Sequence, residues 1–212
     1  MPNNLPPSSF LMDKNYYSEY NFCKKMNKTL NSLVYVKKIK KKEHLLTDGS
    51  VCKNIYFIKK GAVKQYYLSD GKQFIQNFFF EGDIASHFSS FLSQTTSDCC
   101  LEALEDSVVL VLNYHNFRKT CEMHPEFNKS LATYMAQINT TRINLLLLTD
   151  ALLRYKKLLS DEPNILQRVP QYMVASYLGM TPETLSRIRK KLSASLLPSQ
   201  RSDKNCSGKK NN

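Results

Sequence analysis

The sequence predicts an α+β protein: an N-terminal antiparallel β-roll of jelly-roll type, a long dimerisation helix, and a C-terminal helix-turn-helix domain with a reduced or absent wing. Three observations carry this. Four of the six glycines, Gly49, Gly61, Gly71 and Gly82, recur every 10 to 12 residues between short runs rich in Tyr, Phe, Val and Ile. Regular turns between short strands are the pattern of a roll or sandwich. From His124 the apolar period lengthens to that of a helix, and residues 169–192 then read as two short helices around a glycine turn.

The 212 residues suffice for one large or two small domains. Residues 1–15, rich in Pro, Asn and Ser, are expected to be poorly ordered, and 16–123 to form the roll, opened by Tyr17, Tyr20, Met26, Leu30 and Leu33 at roughly helical spacing. The strand runs are NIYFIKKG, AVKQYYLS, FIQNFFFEG and SVVLVLN. The lysine run Lys37 to Lys42 falls on the first strand, where a solvated edge strand is the expected role.

Residues 124–153 are expected to form the dimerisation helix. Phe127, Leu131, Tyr134, Ile138, Thr141, Leu145, Leu148 and Leu152 alternate at four and three residues, a heptad seam polar only at Thr141. One face could pack on the roll, but a strict 3.5-residue period points to a two-helix seam between copies of the chain. Asp161 to Asn164 then breaks the helix. Residues 154–197 form the expected helix-turn-helix domain, and 198–212 a polar disordered tail.

In the helix pair, Ala175 lies four residues before Gly179, which ends the first helix. Thr181 caps the next helix and Pro182 occupies its first position at no hydrogen-bond cost. Val174, Leu178, Met180, Leu185 and Ile188 face inward. Thr181, Pro182, Glu183, Ser186, Arg187 and Lys190 face out, a set suited to base edges and phosphates. Residues 154–212 hold 12 Lys/Arg against 4 Asp/Glu, so two-thirds of the net charge of +12 lies in the last 59 residues. A basic domain beside a nearly balanced one suits a polyanion partner.

Several classes are set aside. No apolar run is long enough for a membrane span, and MPNNLPPSSF lacks the basic start and apolar core of a secretion signal. The cysteines Cys23, Cys52, Cys99, Cys100, Cys121 and Cys206 lack metal-type CxxC spacing, so no metal ligands are assigned and reduced thiols in a cytoplasm are expected. Adjacent Cys99 and Cys100 are expected to be one buried and one exposed strand residue. Paired carboxylates, a phosphate loop and a triad in motif context are missing, so no catalytic residue is assigned and an enzyme is not expected.

The order roll, long helix, helix-turn-helix resembles the Crp/Fnr family of bacterial transcription regulators. The resemblance spans residues 30–193. Its carriers are Gly61-Ala62-Val63, Glu81-Gly82-Asp83, Ala103 to Ser107, and VASYLGMTPETLSRIRKK at 174–191, which is similar to the Bacteroidetes-type branch. The resemblance implies that Glu183 and Arg187 read a C and a G. The chemistry agrees, because a carboxylate accepts from cytosine N4 and a guanidinium grips guanine in a fork. Thr181, Pro182, Thr184, Ser186, Arg189, Lys190, Lys191 and Gln171 complete the expected DNA-binding set. Pro182 stands where some members carry another base-contacting Arg, so half-site preference should differ there.

Cyclic-nucleotide-binding members neutralise the phosphate with an Arg in a turn of the roll. The matching stretch here, residues 84–104, contains no Arg, and Ser97-Asp98-Cys99 stands about where it would be. Tight cyclic AMP binding is therefore not expected. No cofactor is assigned: only Cys23 lies where an iron–sulfur cysteine cluster would, and His87, His115 and His124 are read as ordinary histidines rather than haem ligands. An unidentified small-molecule effector would lie between residues 84–101 and the long helix, with Ser86, His87, Ser97, Asp98, Cys99, Thr140 and Thr141 as candidate lining. The expected partners are double-stranded DNA and a second copy of the chain, with RNA polymerase a further candidate and no membrane. A sensor or interaction module that keeps this fold without specific DNA binding is the alternative.

Overall fold

The computed structural model describes residues 32–196. The expectations for residues 1–31 (Cys23 and the helical spacing of Tyr17 to Leu30 among them) and for the tail with Cys206 lie outside the described residues. The chain divides into two compact units between Asn144 and Leu145, inside the long helix.

The first unit is the expected roll. Its strands are β1 (Tyr35–Ile39), β2 (His44–Leu46), β3 (Asn54–Lys60), β4 (Val63–Ser69), β5 (Lys72–Phe79), β6 (Ile84–Ala85), β7 (Cys99–Ala103) and β8 (Ser107–Asn113). They form two four-stranded sheets, β1-β8-β3-β6 and β2-β7-β4-β5, and every named pairing is antiparallel. Inward residues of both sheets, including Ile39, Ile55, Val63, Leu101, Val109 and Leu112, make one apolar core. Short helices α1 (Phe88–Ser93) and α2 (Tyr114–Met123) bring Phe91 and Phe117 together edge to face at 5.1 Å. Asn113 caps α2 by accepting from the Asn116 amide.

Gly61, between β3 and β4, has φ +104°, and a Cβ there would collide with the Ser107 side chain and sit 2.8 Å from Ser107 Cα. Only glycine lets the two backbones approach this closely. The Gly61 amide donates to Glu81 Oε1 at 2.7 Å, tying two of the motifs noted above to each other. The first lysines of the run lie on an edge, as expected: among the described residues β1 pairs with β8 alone, Lys40 to Lys42 follow in the next turn, and Lys37–Glu43 (2.9 Å) and Lys40–Asp106 (3.0 Å) ion pairs engage two of the five.

The long helix α3 (Pro125–Leu147) corrects the seam. Phe127 and Leu131 are 1% and 2% exposed and belong to the core of the roll, while Tyr134 and Ile138 pack against it. The Tyr134 hydroxyl accepts from the Ile84 amide at 2.8 Å. These four pack on their own roll, Phe127 and Leu131 wholly and Tyr134 and Ile138 in part. The periodicity was real, but a 3.5-residue stripe records that a helix has an apolar partner, not which one. Thr141 is half-buried on the same helix.

The seam also stops short of residue 152. The helix ends at Leu147, and Asp150 caps a new one by accepting from the Leu152 amide at 2.8 Å. Arg154 donates to the Leu148 and Thr149 carbonyls, so the broken turn keeps its acceptors satisfied. Leu148 therefore lies in a linker and Leu152 on the next helix, which removes both from a continuous stripe.

The second unit is helical: α4 (Ala151–Asp161), α5 (Pro163–Arg168), α6 (Gln171–Tyr177) and α7 (Pro182–Leu196). Pro163 starts α5 where the sequence places the break. The stretch ILQR is helical rather than a plain connection. Contacts join α4 to α5 and α7, α5 to α6, and α6 to α7. Tyr155, Leu158, Ile165, Val174, Leu178 and Leu185 are buried. Among the described residues no strand follows α7, and no helix is long and apolar enough to cross a membrane.

Candidate nucleic-acid interface and the interior of the roll

The turn between α6 and α7 is fixed by backbone geometry. Gly179 has φ +63°, its amide donates to Ser176 O at 3.0 Å, and the Met180 amide donates to Ala175 O at 3.0 Å. That pair of bonds is a Schellman ending, which requires the left-handed residue glycine supplies. The Thr181 hydroxyl then accepts from the Thr184 amide at 3.2 Å, capping α7 as expected, and Pro182 follows at the first helical position.

Apart from Gln171 at the start of α6, the predicted contact set lies on α7 and its cap. Thr181, Pro182, Glu183, Ser186, Arg187, Arg189, Lys190 and Lys191 are exposed, and Thr184 and Gln171 are half-buried. Glu183 is held below the usual carboxylate range by its own amide at the helix start, by the Thr181 hydroxyl, and by attraction to Arg187. It is therefore an acceptor at neutral pH, with Arg187 one turn away on the same face. Pro182, Ser186, Arg189, Lys190 and Ser193, with Gln171 and Leu185, line an open groove of about 510 Å³ along the adjacent face. Two cationic side chains thus flank a concave surface beside the Glu183–Arg187 stripe.

In the roll, four of the seven candidate pocket residues come together. His87 Nδ1 lies 2.8 Å from Ser97 Oγ, and His87 Nε2 lies 3.4 Å from Asp98 Oδ1. Ser97 Oγ also reaches Cys99 Sγ (3.5 Å), which accepts from Gln65 Nε2 at 3.3 Å. Burial holds the His87 imidazole below its usual value, with Asp98 opposing. Burial likewise pushes the Cys99 thiol up, against the hydrogen bonds from Ser97 and Gln65. Ser86 is buried elsewhere, donating to Asn54 O. Thr140 is exposed and Thr141 half-buried on α3.

Both members of the Cys99-Cys100 pair are buried, at 0% and 4% exposure, which corrects the expected one-in, one-out arrangement. They do face opposite sides of β7. Cys99 meets Gln65 and Ser97, while Cys100 Sγ accepts from the Asp48 amide at 3.4 Å. Cys52 is buried and Cys121 half-buried, all four as free thiols.

No local pattern marks Lys64, which is 2% exposed. Its amine donates to Gln73 Oε1 at 2.8 Å and pairs with Glu102 at 3.2 Å, over the Tyr66 ring. The Tyr66 hydroxyl donates to Glu102 and is raised well above its usual value, chiefly by burial. A lysine in an alternating strand looks solvated from sequence. Only the cross-strand register of Lys64 with Glu102 reveals the pair.

Residues 36–124 match the family model for the cyclic nucleotide-binding domain. Solved structures extend the likeness across both units. A mutant CooA from Carboxydothermus hydrogenoformans is 21% identical over 78% of this chain and 79% of its own, with a TM-score of 0.62. FixK2 from Bradyrhizobium japonicum is 20% identical over 76% and 85%, TM-score 0.63. The c-di-GMP-responsive regulator CLP from Xanthomonas campestris is 17% identical over 84% and 95%, TM-score 0.61.

The chain has the Crp/Fnr fold.

No curated protein matches the sequence significantly. Within the Crp/Fnr fold, the roll is the cyclic nucleotide-binding-type domain and α6–α7 the C-terminal helix pair.

Proposed function

We propose that this chain is a homodimeric, sequence-specific DNA-binding transcription regulator, non-catalytic and cytoplasmic, whose roll does not hold cyclic AMP tightly. The observation that carries the reading is α7: a helix whose start is capped by Thr181 and whose first two turns present exposed Glu183 and Arg187 on one face. A carboxylate and a guanidinium one turn apart match neighbouring C and G edges in a major groove. Lys190, Lys191 and Arg189 supply phosphate contacts on either side.

Dimerisation then uses the face of α3 that the roll leaves open. Ala132, Ala136, Asn139 and Ile143 are all exposed and recur at four, three and four residues, with Ile143 56% exposed. This is a second stripe, rotated from Phe127 and Leu131, and its small residues allow close helix approach. The roll reading rests on Asp98: a carboxylate beside Ser97 repels a cyclic phosphate, and residues 84–104 supply no Arg to neutralise one.

A gel shift on genomic fragments with salt titration tests the reading. It predicts a sequence-selective shift that weakens steeply with salt. A protein-docking module would give no selective shift. Saturable binding of micromolar cyclic AMP would overturn the pocket assignment.

A further inference from the structure

We propose that the roll binds a borderline divalent transition metal of the zinc(II) class through His87, Asp98 and Cys99. An imidazole nitrogen of His87, a carboxylate oxygen of Asp98 and the sulfur of Cys99 lie within 4.8 Å of one another. A nitrogen, an oxygen and a sulfur are the three donor types zinc accepts, and three protein ligands leave one position open.

The dimensions suit a tetrahedral ion. Bonds of about 2.0–2.3 Å place tetrahedral ligands roughly 3.3–3.7 Å apart. The His87 Nε2 to Asp98 Oδ1 distance is already 3.4 Å. The three donor atoms lie no more than 4.8 Å apart, so reaching that spacing needs movement of about 1 Å.

The surroundings orient the ligands. Ser97 Oγ, 2.8 Å from His87 Nδ1, holds the ring as the outer partner that ligating histidines usually have, and turns Nε2, which also meets Ser89 Oγ at 3.4 Å, toward Asp98. Gln65 Nε2 donates to Cys99 Sγ, a bond that favours the thiolate against the burial that opposes it. Asn77 Nδ2 in turn donates to Gln65 Oε1 at 3.2 Å, fixing that amide. On binding, the Cys99 S–H bond breaks, the sulfur–metal bond forms, and the proton leaves to solvent. Asp98 faces solvent and gives the ion its entry path, while Cys99 is wholly buried at the inner end.

The three ligands join the loop before α1 to the start of β7, so an ion would clamp two ends of the segment that replaces a phosphate cradle. That the ion acts as an effector rests on reading the chain as a regulator. Binding itself does not.

Cobalt(II) titration of the reduced, metal-stripped full chain tests the site without DNA. The expected result is one ion per chain with a thiolate-to-cobalt absorption band. The band should vanish in Cys99→Ser and persist in Cys100→Ser, which changes the opposite face of the same strand. His87→Gln and Asp98→Asn should each weaken binding at least about tenfold. If Cys99→Ser fails to fold by circular dichroism, Asp98→Asn decides, because its side chain is exposed. An unchanged affinity in Asp98→Asn and His87→Gln, a band that survives Cys99→Ser, or no saturable binding overturns the proposal. A failed gel shift would leave this result untouched.

Discussion

Truncating Phe127 to alanine separates the two roles that one stripe of a long helix can play. Phe127 is 1% exposed, its ring centroid lies 5.9 Å from that of Phe117, and it closes the roll core beside Leu131. Removing a buried phenyl ring costs about 3–5 kcal/mol, transfer and cavity combined. Against a domain stability of roughly 5–15 kcal/mol, that is about a fifth or more of the total. Ile143 is 56% exposed on the other stripe, so Ile143→Glu should leave the fold of the monomer intact. Urea unfolding followed by circular dichroism, with sedimentation velocity in native buffer, reads both effects. Phe127→Ala should lower the unfolding midpoint sharply yet sediment as wild type does while folded. Ile143→Glu should sediment as a monomer. A Phe127→Ala protein with the wild-type midpoint that has become monomeric would refute the reasoning, because Phe127 would then face a second chain.

Arg187→Ala should lose roughly 1–3 kcal/mol of affinity for the preferred site and relax its preference at one base pair, measured by fluorescence anisotropy. Lys190→Ala should weaken all sequences alike and reduce the salt slope by about 1. Gly61→Ala should destabilise the roll, since a Cβ meets Ser107 and φ is +104°; a thermal melt matching wild type would contradict the close approach. Glu43 and Asp106 are both held below their ordinary values of 4.5 and 3.8, first by the Lys40 and Lys41 backbone amides and then by lysine ammonium groups. The unfolded chain binds the more protons, so their contribution is present above those values and is lost as pH falls through the lower folded ones. Glu43→Gln with Asp106→Asn should flatten the acid limb of the urea midpoint below about pH 4.5, and an unchanged limb would contradict the pairing.

What the sequence discloses follows the range of the forces involved. The strands of the roll and the turn at Gly179 are marked by local chemistry, because Gly, Asp-Gly and Thr-Pro act within a few residues. Exposed Glu183 and Arg187 are legible for the same reason: a cap at Thr181 fixes the helix phase, and phase fixes the face. The apolar stripe at Phe127, Leu131, Tyr134 and Ile138 was legible as a stripe, but its partner is a roll formed by residues far back in the chain. The Asp150 cap shows a local signal overriding a leucine-rich run that otherwise continues the pattern. His87 and Cys99 come together only because α1 folds the intervening residues into a loop, which no fixed ligand spacing announces. Buried Lys64 follows the same rule, with Glu102 supplied by a strand 38 residues away.

Selection of random-sequence duplexes by the full chain tests the central claim most directly. The account predicts an inverted repeat whose half-sites lie about one helical turn or a multiple of it apart, with a C or G preference lost when Glu183 or Arg187 is replaced. Recovery of unselected sequence, or of a preference unmoved by both substitutions, would contradict it.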